Sequence, residues 1–234
     1  MENVVTEAVK LWEPPSEDTR LVLLTDDTVH TGRKDVGSHL LCCADYAKEH
    51  QVWLVSGLVV NQDNLCLVLF GPDGSALCRQ PAIHLALPMK GTLKPANQVQ
   101  VIHTKIGNLY LCVDADILHP ETLRAAALKG ADIVINIQHL DPVDDTPQRL
   151  MSSIWNAAQT NNYYVVGLMS SSCAVACPAP LTRNKDGYLV KRTHNLPLRF
   201  GLNLERLDDV RSHFQIVEGI NNRLVQNYAE DLGR

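Results

Sequence analysis

The 234-residue chain lacks the features that mark several large classes of protein. Its formal net charge of −5 gives no excess of basic residues, and nucleic acid binding depends on such an excess. No apolar run approaches the roughly 20 residues needed to span a bilayer, and Val52 to Val60 is the longest strand-like run. We therefore expect neither a nucleic acid nor a membrane partner.

Paired or metal-binding cysteine patterns are also missing. The seven cysteines show neither disulfide nor zinc spacing, so small buried thiols explain them better than ligands or bridges. The first residues include Glu2 and Glu7 and do not resemble a secretory signal. Together these features predict a cytoplasmic protein.

The composition is that of a chain with a large core. A hydrophobic content of 45% and 20% charged residues predict one α/β domain over residues 1–234. At its start, apolar residues are spaced as on a helix, which predicts a short amphipathic helix over Met1–Trp12 before the breaker Pro14-Pro15.

A strand, a turn and a helix are predicted near the middle of the chain. Leu109–Val113 is a short apolar run, and Pro120-Glu121 opens a helical pattern that Gly130 closes. Asp114 and Asp116 lie between the two. Functional groups gather at the carboxyl ends of strands in α/β folds, so these carboxylates are candidate site residues.

The stretch from Gly107 to Glu121 resembles the nucleophile region of the carbon–nitrogen hydrolase (nitrilase) superfamily. Gly107, Asp116, Pro120 and Glu121 fit the family pattern without a gap, as does the Gly-Ala-Asp at residues 130–132. In this register the catalytic cysteine of the family falls on Asp114. The resemblance implies a nitrilase-type α-β-β-α sandwich, here without an evident first strand, a homodimer and no cofactor.

The other two catalytic positions of the family are substituted as well. The early strand resembles Leu21–Asp27, which places Asp26 at the glutamate base. The lysine segment is matched through His84 and Leu85, and Ala82 takes the place of the lysine. The resemblance therefore implies that all three members of the triad have changed.

These changes favour a protein that has lost the family chemistry. The mechanism needs a thiolate nucleophile, a carboxylate base and an ammonium that stabilises the oxyanion. We predict a pseudoenzyme that binds a small ligand through Asp26, His84 and Asp114, or a dimeric interaction module. Because Asp114 is an acceptor or an anion, amide- or amine-containing ligands are favoured over anionic ones.

An active hydrolase of non-peptide carbon–nitrogen bonds is the alternative. It could use Cys112 as nucleophile in a shifted register. It could instead use a metal held by carboxylates and imidazoles, since His30 follows Asp26-Asp27 and His119 follows Asp114–Asp116. These two routes stay open at the level of sequence.

A third helix is predicted after Thr146-Pro147, an N-cap followed by proline at the first helical position. Its apolar residues form a stripe at helical spacing: Leu150, Met151, Ile154, Trp155 and Ala158. The stripe fits packing against the sheet. The resemblance also implies that helices near this one pair in a homodimer.

Overall fold

The computed structural model describes residues 3–10, 12–25, 29–86, 89–139, 143–169, 172–221, 223 and 225–227. Within these residues the chain forms two β-sheets. The strands of the first sheet are β1 (Val4–Lys10), β2 (Leu21–Thr25), β3 (Trp53–Val55), β4 (Val59–Asn61), β5 (Asn64–Phe70), β6 (Ala76–Pro81) and β13 (Leu198–Leu202). Those of the second are β7 (Val101–Thr104), β8 (Gly107–Val113), β9 (Ile133–Ile137), β10 (Tyr164–Leu168), β11 (Cys173–Ala176) and β12 (Tyr188–Thr193).

Helices cover the outer faces of both sheets. They are α1 (Arg33–His50), α2 (Pro120–Leu128), α3 (Pro147–Leu150), α4 (Asn156–Asn161) and α5 (Leu204–Phe214). A π-helical turn, Met151–Trp155, joins α3 to α4, and a 3-10 turn, Asp114–Leu118, separates β8 from α2. No helix among these residues is long and apolar enough to cross a membrane.

Three apolar clusters define the layers. One lies between the sheets, one between the first sheet and α1, and one between the second sheet and the helices α2 to α4. The order of layers is therefore helix, sheet, sheet, helix. This confirms the predicted α-β-β-α sandwich.

Parallel strands form the centre of each sheet. In the first, β2 pairs in parallel with β1 and β3, and in the second, β9 pairs in parallel with β8 and β10. The residues of β9 and β10 are all buried. Burial on both faces explains why these strands are nearly continuous apolar runs without alternation.

The prediction of an N-terminal helix and of a sheet without its first strand was wrong. Residues Val4–Lys10 form β1, which pairs with β2 on one side and with β13 on the other. Val4 and Ala8 face the inter-sheet core, whereas Val9 faces the α1 layer. Because both faces of β1 are buried, its apolar residues do not alternate, and their spacing imitates that of a helix.

The locally signalled elements were predicted correctly. β5 and β6 form the expected hairpin, and α2 ends before Gly130, whose φ is +79°. The Thr146 hydroxyl accepts the Arg149 N–H at 3.2 Å, as an N-cap does. In the stripe that follows, Leu150, Ile154 and Ala158 are buried against the second sheet, whereas Met151 is exposed.

Close contact between β10 and the π-helical turn yields a prediction for stability. A methyl group at Gly167 would lie 1.8 Å from Ile154 Cδ1 and 2.8 Å from Cγ1. Gly167→Ala should therefore lower the free energy of unfolding by about 1–3 kcal/mol, measured by chemical denaturation.

Ile154→Val supplies the matched partner because it removes Cδ1 at a cost of about 0.5–1.5 kcal/mol. The double variant should be less destabilised than the sum of the single changes. Additive losses would show that this contact is not the cause.

Candidate functional site

Asp114 lies at a strained turn directly after β8. It begins the 3-10 turn with a backbone φ of +47°, and its side chain is buried. A left-handed conformation costs a residue with a Cβ roughly 1–2 kcal/mol. Such strain persists only where the surrounding structure holds it, and it is concentrated at functional sites.

Side chains after β9 hold this turn. The Asn136 amide donates to the Cys112 carbonyl at 2.8 Å and to the Asp114 carbonyl at 3.2 Å. The Gln138 amide donates to Asn136 Oδ1 at 2.7 Å, and the His139 N–H donates to Asp114 Oδ1 at 3.1 Å. These hydrogen bonds fix both the backbone of the turn and the orientation of its carboxyl group.

Sequence reasoning missed these supporting residues, although a signal was present. Asn136 and Gln138 are polar residues within or just after a strand that is otherwise apolar. Buried polar groups need hydrogen-bond partners, so two amides at the carboxyl end of a buried strand indicate a polar site there.

Burial dominates the electrostatics of Asp114. It raises the pKa of the carboxyl group above the ordinary value, while the N–H groups of His139 and Ala115 and the charges of His139 and Arg149 act in the opposite direction. Two nearby side-chain atoms, Arg149 Nε and Gln138 Oε1, are buried and have no hydrogen-bond partner among the described residues. The site thus combines a carboxyl group with an unpaired donor and an unpaired acceptor.

Asp116 anchors a second segment to the same turn. Its fully buried carboxylate accepts the N–H groups of Ile83 at 3.1 Å and of His84 at 2.6 Å, and lies 3.2 Å from His84 Nδ1. Burial raises the pKa of Asp116 to about 6, although these N–H groups stabilise the anion. The carboxylate thereby ties the segment after β6, in the first sheet, to the turn after β8, in the second.

The predicted site residues occupy different layers. Ala82 is 1% exposed, lies in the core between the sheets and directly precedes the anchored segment. Cys112 is fully buried on the other face of the second sheet, under the helices. The second sheet therefore separates the Cys112 thiol from the methyl group of Ala82. Asp26 lies outside the described residues.

His84 faces α2 rather than Asp114. Its ring stacks on that of His119 with centroids 3.5 Å apart, and its Nδ1 lies 3.4 Å from the Thr122 hydroxyl. His30 instead lies 3.2 Å from Asp35 and stacks on His39. In the part of the chain that the structure describes, His30 and His119 do not share a cluster of possible ligands, contrary to the metal alternative drawn from the sequence.

The architecture and the turn together define the class of protein. A sandwich of two sheets between helical layers, with a strained strand-to-helix turn at the end of a central parallel strand, is an α/β hydrolytic scaffold. The family model for carbon–nitrogen hydrolases matches residues 27–188, and the chain belongs to this family.

Solved structures of the nitrilase superfamily share the fold at low identity. Saccharomyces cerevisiae Nit3, a member of branch 10, matches with a TM-score of 0.72 and 16% identity, over 91% of this chain and 94% of that one. A carbon–nitrogen hydrolase from Helicobacter pylori G27 matches with a TM-score of 0.74 and 15% identity, over 97% and 99%. No curated protein matches the sequence.

An amidase provides a comparison for the site. The enzyme from Nesterenkonia sp. AN1 matches with a TM-score of 0.68 and 14% identity, over 97% of this chain and 100% of that one. In that structure acrylamide has added to an active-site cysteine. At such identities the three structures establish the shared fold.

The raised pKa of Asp114 predicts a pH dependence of stability. The native state keeps this proton at pH values where the unfolded chain, with a pKa of about 3.9, has lost it. The contribution of Asp114 to the free energy of unfolding therefore declines as pH rises from about 3.9 through the raised pKa. Asp114→Asn removes the decline, so its stability relative to the wild type should increase with pH in denaturation series.

Asp73→Asn is the matched control. The exposed Asp73 carboxylate accepts the N–H and hydroxyl of Ser75 at 3.0 and 2.6 Å, and these bonds lower its pKa. Its variant should lose stability relative to the wild type as pH rises. Parallel pH curves for the wild type and Asp114→Asn would contradict the assignment.

Proposed function

We propose that this protein is a catalytically degenerate carbon–nitrogen hydrolase that binds a small amide- or amine-containing ligand. The observation that carries the proposal is the buried carboxyl group of Asp114 on its strained turn. By resemblance this is the position of the nucleophilic cysteine. The turn is retained while the thiol is replaced by a group that favours binding over acyl transfer.

The chemistry of the substituted residues supports loss of hydrolysis. Attack by the Asp114 carboxylate on an amide would form a mixed anhydride and would have to expel an amine. The expected oxyanion cation is absent at Ala82, whose methyl group is buried in the inter-sheet core. Loss of a single oxyanion donor typically costs about 10²–10³ in rate.

The polar groups around Asp114 complement an amide. A primary amide offers N–H donors to the Asp114 carboxyl group and to Gln138 Oε1, and a carbonyl acceptor to Arg149 Nε. An unpaired buried polar group costs about 1–3 kcal/mol, so a ligand that pairs these atoms gains that energy. A carboxylate ligand offers no donor and would meet the charge of ionised Asp114.

We also propose that the protein is a homodimer formed through the helical layer over the second sheet. Apolar side chains remain exposed on that side: Leu118 is 41% exposed, Leu128 is 57% exposed and Met151 is 54% exposed. A dimer that covers them would remove this apolar area from water. The dimer would present two copies of the site.

The proposal is tested with isosteric probes, isobutyramide and isobutyrate. Neither isobutyramide nor isobutyronitrile should release ammonia. Isobutyramide should raise the melting temperature; at one hundred times its Kd the gain is about 2.7 kcal/mol, or roughly 5–10 °C for a chain of this size. Isobutyrate should give a smaller shift, and Asp114→Ala should abolish the difference. Ammonia release by the wild type, or equal shifts for both probes, would overturn the proposal.

Accessibility of Cys112 discriminates the proposal from a thiol hydrolase. Its side chain is fully buried, and burial, with the charges of Asp116 and Asp114, raises its pKa well above the ordinary value. A reactive cysteine needs a lowered pKa and access to solvent. Cys42 is the exposed cysteine, whereas the other six are buried.

Iodoacetamide at neutral pH should therefore label Cys42 first in the folded protein and reach Cys112 only after unfolding, as located by mass spectrometry. Cys42→Ser is the control and should remove the early label. Rapid labelling of Cys112 in the native state would instead support the shifted register and the hydrolase.

A further inference from the structure

Three potential metal ligands meet where the segment after β6 contacts the start of α2. His84 comes from that segment, and His119 and Glu121 flank the first residue of α2. His84 Nε2 and His119 Nδ1 each lie 3.4 Å from Glu121 Oε1, and the three ligand atoms lie within 4.8 Å of one another. The side chains are 26%, 39% and 43% exposed, so an ion could enter from solvent.

These separations fit a tetrahedral ion. Ligand atoms 2.0–2.1 Å from a tetrahedral centre are about 3.4 Å from each other. Both edges that include Glu121 Oε1 already have this length. The imidazole rings are nearly parallel, at 7°, so their lone pairs point side by side. Binding requires the more exposed His119 ring to tilt until its Nδ1 faces the ion.

A buried carboxylate orients the His84 ligand. Asp116 Oδ1 lies 3.2 Å from His84 Nδ1 and is placed by two backbone N–H groups. As an acceptor, it favours the tautomer with the proton on Nδ1, which leaves the Nε2 lone pair directed towards Glu121. A carboxylate behind a histidine ligand is the usual outer shell of a zinc site.

The same tautomer gives the cluster a need for a cation. With Nδ1–H donated to Asp116, the Nε2 lone pair of His84 faces the Glu121 carboxylate, and both are acceptors. His119 Nδ1 faces the same oxygen. A cation between these atoms turns their mutual repulsion into attraction.

We propose that His84, His119 and Glu121 form a binding site for a divalent transition metal, with zinc as the preferred ion. Two imidazoles and one carboxylate are a ligand set of zinc centres, whereas magnesium and calcium select oxygen ligands. Three protein ligands leave a fourth position for water or another ligand. The ion would join the segment after β6 to α2, next to the link that Asp116 already makes.

Zinc and cobalt binding test the proposal directly. After treatment with a chelator, the reduced protein should bind one equivalent of zinc in titration calorimetry, and cobalt should give the visible bands of a four-coordinate ion. His119→Ala and Glu121→Gln should each weaken zinc binding by at least about tenfold. Both residues are partly exposed, so the variants should fold, which circular dichroism verifies.

His213→Ala and Glu205→Gln are the matched controls and should bind zinc like the wild type. His213 is an exposed histidine of another helix, and Glu205, like Glu121, is the second residue of its helix. Zinc uptake weaker than about 1 mM would overturn the proposal. So would unchanged binding in both cluster variants, or a thiolate-to-cobalt charge-transfer band, which would place the ion at cysteines.

Discussion

The buried carboxylate of Asp116 is the constraint on which the candidate site depends. A charge taken out of water is costly unless hydrogen bonds replace its hydration, and two backbone N–H groups of the neighbouring segment do so here. The carboxylate therefore requires that segment, and the segment requires the carboxylate. Since one partner follows a strand of the first sheet and the other a strand of the second, this contact sets how the two halves of the site face each other.

Asp114 and Asp116 have opposite tasks although only one residue separates them. Asp116 is saturated by backbone donors and serves the architecture. Asp114 receives the N–H of His139 on Oδ1 and lies near an unpaired arginine nitrogen. A 3-10 turn points the two side chains in different directions. One carboxyl group can therefore be exchanged for another chemistry while the other cannot.

Elements with local signals were predicted well because their evidence is short-range. The α2 helix has proline at its start and glycine after its end, and the β5–β6 hairpin has a Gly-Pro-Asp-Gly turn. β1 was misread because its structure depends on β2 and on β13 near the other end of the chain. No pattern within Val4–Lys10 reveals those partners.

The site shows the same division. Asp114, Ala82 and His84 could be identified from a motif register, whereas the hydrogen bonds of Asn136 and His139 arise from the pairing of β8 with β9. Glu121 was visible only as part of a motif. Its proximity to two imidazoles follows from the packing of α2 against a segment from the other sheet.

The amide of Asn136 has a consequence for how this scaffold changes over evolution. By bonding the carbonyl groups of Cys112 and Asp114, it completes the end of the strand ladder where the strained turn leaves the sheet. The shape of the turn is thus maintained from the neighbouring strand and not by the side chain at its tip. A lineage can replace the tip residue without unfolding the turn, so the loss or recovery of a nucleophile is a single-site event on a frame that outlasts the reaction.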